Sequence, residues 1–115
     1  MSAVDKRQFY RLKYPPRARP SVCFEKERYR VSEVSEGGIR VIMKDASHLK
    51  IGDEMVGVLS LHNNRDVNIV GSVLRFDGAE VIIKLDKGPS FKHMVDEQRH
   101  IRSKYPAFYD RLRMA

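Results

Sequence analysis

The chain has 115 residues, 42% of them hydrophobic, with a single cysteine and a formal net charge of +7. That length fits one domain with one core, the apolar content excludes a disordered chain, and the lone Cys23 excludes an internal disulfide. Positive charge is concentrated early: residues 1–30 hold nine Lys/Arg against three Asp/Glu, whereas residues 31–115 hold thirteen against twelve. A basic front half of this kind favours an anionic ligand docking there. Apolar runs are too short to span a membrane, and the N-terminus has no stretch of signal-peptide type. A cytoplasmic location is the expectation.

Residues 1–20 form a basic arm without steady periodicity. Tyr14-Pro15-Pro16 and Pro20 impose extended backbone, because proline fixes its own φ and restricts the residue before it. Phe9, Leu12 and Tyr14 are its candidate anchors. With so few, and with six basic side chains, the arm is expected to be mobile until an anion neutralises it.

Residues 21–88 carry the β signal. Val22 and Phe24 alternate, as do Tyr29 and Val31; Ile39, Val41 and Met43 share a face; residues 54–61 are strand-like. Val67, Ile69, Gly71 and Val73 line one face of the next run, with Val70, Leu74 and Phe76 on the other. Val81, Ile83 and Leu85 finish the set. Asn63-Asn64 tolerates left-handed backbone, and Asp77-Gly78 is a strong hairpin signal. Six short strands with tight turns imply a small antiparallel barrel or sandwich, so the fold class is mainly β.

Residues 89–115 change period. Ser90 is placed to cap a helix with apolar residues Phe91, Met94, Val95 and Ile101. Pro106 breaks or restarts it, and Phe108, Tyr109 and Leu112 make a further stripe. The segment either lies on the barrel or docks a partner.

Little in the chain speaks for catalysis. His48, His62, His93 and His100 lack compact metal-ligand spacing, Cys23 has no obvious base, and no nucleophile-elbow, phosphate-loop or zinc motif occurs. The expectation is no enzyme, no metal and no cofactor.

Two segments carry the functional signal. Arg7 and Arg11 stand as Arg-x-x-x-Arg, and two guanidiniums bring fixed charge and N–H forks that suit phosphate oxygens or the O6/N7 edge of guanine. Glu33-Val34-Ser35-Glu36-Gly37-Gly38 then offers an acceptor, a hydroxyl and a backbone left bare for close approach by a planar base. Together they describe a site for a compact, guanine-bearing anion. Lys6, Gly37, Arg40, Arg75 and Lys84 are secondary candidates for the same site.

The order of these segments resembles the PilZ family, bacterial receptor domains for cyclic di-GMP. Arg7, Arg11, Ser35 and Gly38 match its Arg-x-x-x-Arg and Asp/Asn-x-Ser-x-x-Gly pattern; Glu33 stands where the family usually has Asp or Asn. The resemblance spans roughly residues 5–86. It implies a six-stranded β-barrel that binds cyclic di-GMP through Arg7, Arg11, Glu33, Ser35 and Gly38, changes conformation, and signals to an unidentified protein effector. Two alternatives stand beside it. One is an adaptor of the same fold that binds no nucleotide and works by protein contacts. The other is a small basic barrel binding RNA or single-stranded DNA through Phe9, Tyr10 and Tyr14; nucleic acid is the less favoured partner.

Overall fold

Alternating apolar side chains fold inward on every main strand of the computed structural model, which describes residues 10–108. The strands are β1 (Leu12–Lys13), β2 (Ser21–Phe24), β3 (Glu27–Ser35), β4 (Gly38–Ile42), β5 (Glu54–Leu61), β6 (Arg65–Asp77) and β7 (Glu80–Lys87), followed by helix α1 (Phe91–Lys104). All pairings are antiparallel. The ring runs β3–β2–β5–β6–β7–β4 and closes through β4 onto β3, a six-stranded barrel with β1 added beside β3. Closure leaves no long open edge on the ring.

The inward residues form one cluster. It includes Val22, Val31, Val34, Ile39, Val41, Leu59, Ile69, Val73 and Ile83, each nearly or wholly removed from water. Each side chain of this size contributes roughly 1.5–3 kcal/mol when fully buried. Gly71 is needed for close strand approach, since a Cβ there would lie 2.0 Å from the carbonyl oxygen of Lys84.

Turns follow the left-handed tolerance of their residues only in part. Asn63 and Asn64 have φ of 59° and 55°, and Gly78 has 61°. The loop of the last hairpin is Gly78-Ala79, because Asp77 pairs with Glu80. Glu25 and Lys26 also lie at positive φ, in the β2–β3 turn, without the glycine or asparagine that usually serves there.

The described half of the N-terminal arm is anchored. Leu12 and Tyr14 are buried, and β1 pairs Leu12 with Val34 and Lys13 with Glu33. A mobile arm through residue 20 is therefore corrected for residues 12–20, because two large side chains and a strand pairing hold them. Phe9 lies outside the described residues, as do Tyr109 and Leu112.

Helix α1 begins where Ser90 accepts a hydrogen bond from the His93 backbone N–H at 3.2 Å, and His93 Nδ1 accepts from the Ser90 N–H at 3.0 Å. This reciprocal cap satisfies otherwise unpaired N–H groups at the helix start. Met94 and Ile101 join the barrel core. Phe91 does not: it is 71% exposed, since the phase that seats Met94 and Ile101 turns the first residue outward. Helical backbone resumes at residues 106–108 after Tyr105, and Phe108 packs on the core.

Candidate functional site

A bulge at Ser32 sets up the site. β3 pairs Val31 with Val41 and then Glu33 with Arg40, leaving Ser32 without an opposite number. The extra residue shifts the alternation, so Val34 is buried while Glu33 turns outward. Ser35 pairs with Gly38 across the loop Glu36-Gly37. Its hydroxyl donates to the Gly38 carbonyl at 3.2 Å and accepts from the Gly37 N–H at 3.3 Å. Ser35 is only 8% exposed, so the hydroxyl holds the loop and has limited reach outward. At Gly38 a Cβ would lie 3.2 Å from the Ile83 carbonyl oxygen, so the bare backbone lets β4 and β7 approach. Positive φ occurs at neither Gly37 nor Gly38; at Gly38, close approach is what the place requires.

A second bulge supplies the opposite wall. β6 pairs Val73 with Ile83 and then Arg75 with Ile82, so Leu74 and Arg75 together face Ile82. Leu74 is 46% exposed, and beside Ile82 it gives the cleft an apolar shelf. β1 brings the third part. Continuing its register by one residue puts Arg11 level with Ser35.

These parts converge on one cleft of about 290 Å³, lined by Arg11, Glu33, Ser35, Gly37, Gly38, Arg40, Leu74, Arg75, Ile82 and Lys84 among others. Of the residues picked out from sequence, Arg11, Glu33, Ser35, Gly37, Gly38, Arg40, Arg75 and Lys84 meet here. Arg7 and Lys6 lie outside the described residues. Leu74 and Ile82 were missed as lining. The unbroken run Val81-Ile82-Ile83 was the available signal, since one of three consecutive apolar strand residues must face out.

The charges divide into two groups. Arg40 is committed: its Nε donates to Glu80 at 2.7 Å and its Nη2 to Asp77, contacts that hold its guanidinium above the ordinary arginine pKa. Arg11, Arg75 and Lys84 make no ion pair with any described residue, and Glu33 is the carboxylate among them. A cleft with three free cations, one acceptor, an apolar shelf and a bare turn can hold an anion carrying a planar ring. No group of three His, Cys, Asp or Glu able to hold a metal occurs among the described residues. No helix among them is long and apolar enough to cross a membrane.

The family model of the PilZ domain matches residues 5–104, and the chain belongs to that family. PilZ domains are non-catalytic receptor domains, typically for cyclic di-GMP. The match reaches through α1, beyond the span of roughly 5–86 carried by the sequence resemblance. Among solved structures the fold is similar to the Bacillus subtilis inhibitor of motility MotI/DgrA, with a TM-score of 0.67 and 18% sequence identity over 88% of this chain. The chain spans 52% of that protein's length. No curated protein sequence matches the chain.

Proposed function

We propose that the chain binds cyclic di-GMP in the cleft between β1, the β3–β4 turn and the β6 bulge. The convergence of Arg11, Glu33, Ser35, Gly38 and Arg75 on one cleft carries this reading. Arg11 and Lys84 meet phosphate oxygens, joined by Arg7 four residues earlier in the sequence. Arg75 offers a planar fork to the O6/N7 edge of a guanine or stacks on its face. Leu74 and Ile82 support the purine, and Glu33 accepts from guanine N–H groups. The ligand is held, not turned over. Binding draws the arm ahead of β1 against the barrel, and a protein effector reads the change.

The adaptor alternative draws on two observations: Glu33 in the Asp/Asn position, and Arg40 already paired with Asp77 and Glu80. Isothermal titration with cyclic di-GMP separates the readings. Saturable heat with a defined stoichiometry supports the receptor; absence of heat at ligand concentrations near 1 mM, about −4 kcal/mol in affinity, supports the adaptor.

A further inference from the structure

A second cleft shares no lining residue with the first. Two rows of paired residues run across the outer face of the sheet beneath it. One is Arg30–Ser21–Ser60–Asp66, and the other is Arg28–Cys23–Val58–Asn68. Both face outward, because the intervening Val22, Leu59 and Val67 are buried. Arg19, just before β2, joins Arg28 and Arg30 at this cleft, whose volume is about 660 Å³.

The three guanidiniums are unneutralised. Among the described residues the ion pairs are made by Arg40, His62 and Arg65, and none by Arg19, Arg28 or Arg30. Arg28 donates to the Ser21 hydroxyl at 2.9 Å and Arg30 to the Arg19 carbonyl at 3.5 Å. Arg19 Nε is shut from solvent with no acceptor. The one carboxylate lining the cleft, Asp66, takes the Ser60 hydroxyl at 2.8 Å. Gathering like charges in this way favours an anion that brings several carboxylates or phosphates at once.

Geometry chooses between them. No Phe, Tyr or Trp lines the cleft, and the one ring there, His62, is already stacked on His100, so the bases of a nucleic-acid strand have little to stack on. Arg28 and Arg30 are two residues apart on one strand, a spacing of about 6.6 Å, which is also the same-face repeat of an extended peptide. Alternate acidic side chains of such a peptide meet the two forks in register, with the Ser21 hydroxyl beside Arg30 on the neighbouring strand β2. We propose that the Arg19–Arg28–Arg30 cleft docks an extended acidic segment of a partner protein. The inference does not depend on nucleotide binding in the first cleft.

Fluorescence anisotropy with a labelled peptide of about eight residues, alternating Glu and Thr to match the strand repeat, tests this on the full chain. The Glu-Thr peptide should bind, its Gln-Thr counterpart should not, and an oligothymidylate of equal charge should bind more weakly. R28Q/R30Q should weaken peptide binding by about tenfold or more, about 1.4 kcal/mol, while K44Q/K50Q, which removes the same charge elsewhere, should change it less than about twofold. Thermal melts establish folding; if R28Q/R30Q does not fold, R28K/R30K keeps the charge, loses the forks, and should still lose several-fold. Equal loss in the arginine and lysine variants, no effect of the arginine changes, tighter oligothymidylate binding, or no peptide binding would each overturn the proposal.

Discussion

The Tyr14 hydroxyl donates to Glu97 Oε1 at 2.7 Å, joining the segment just after Arg11 to the middle of α1. Glu97 is 1% exposed, and its other oxygen meets His62 Nδ1 from the β5–β6 turn. Burial first, then the Glu97 charge, push the Tyr14 hydroxyl far above the ordinary tyrosine range, so it stays a neutral donor. Arm, barrel end and helix thus share one buried carboxylate.

Tyr14→Phe removes the donor and leaves that oxygen unsatisfied. The expected loss is about 1–3 kcal/mol, read as a lower midpoint in urea denaturation. A loss below about 0.5 kcal/mol would mean the contact does not hold the arm to the helix.

His100 stacks on His62, with ring centroids 4.2 Å apart and an interplanar angle of 6°. Desolvation first, then the facing His62, lower its pKa below the ordinary 6.5; Lys104 adds to this and Glu97 opposes it. The folded state therefore holds His100 neutral where the unfolded chain protonates it. Its contribution is present above pH 6.5 and is lost as pH falls through that value toward the lowered folded pKa. Wild type should lose more melting temperature than His100→Asn between pH 7.5 and a pH about one unit below 6.5. Parallel losses would contradict the stacking account.

The barrel was legible in sequence wherever alternation ran unbroken, as at Val67, Ile69 and Val73. The Ser32 bulge was not, because an extra residue looks like any polar strand position until its partner strand is known. Glu25-Lys26 hid a turn for want of glycine. Nothing in the sequence marks Glu97 as buried; only Tyr14 and His62, distant in sequence, make its burial tolerable. At the site, Arg11, Ser35 and Gly38 stood out by spacing, whereas the pairing of Arg40 with Asp77 and Glu80 depends on hairpin register.

Glu33 is the departure from the family pattern, and its carboxylate sits one methylene farther out than aspartate's would. If that length misplaces it, Glu33→Asp should tighten cyclic di-GMP binding by roughly 1 kcal/mol, one better-placed hydrogen bond. If Glu33 already reaches the guanine, the same change should weaken binding. Calorimetry on Glu33→Asp and Glu33→Ala decides; indifference to both removes Glu33 from the site.

Arg11→Ala and Arg75→Ala should each weaken cyclic di-GMP binding by about 2–4 kcal/mol, since each removes charge-assisted bonds to a partly desolvated anion. Both side chains are exposed, so melting temperatures should barely change. Arg40→Ala differs: it strands Asp77 and Glu80 and should lower stability by about 1 kcal/mol as well. Wild-type affinity in both Arg11→Ala and Arg75→Ala would empty the cleft of its assigned ligand.

An amide-resolved NMR titration with cyclic di-GMP tests ligand and location together. Saturable shifts should concentrate at Arg11, at residues 33–38, and at Arg75 and Lys84, with little movement at Arg28 or Lys44 and with the pattern abolished in Arg11→Ala. Shifts centred elsewhere, or none at saturating nucleotide, would contradict the account.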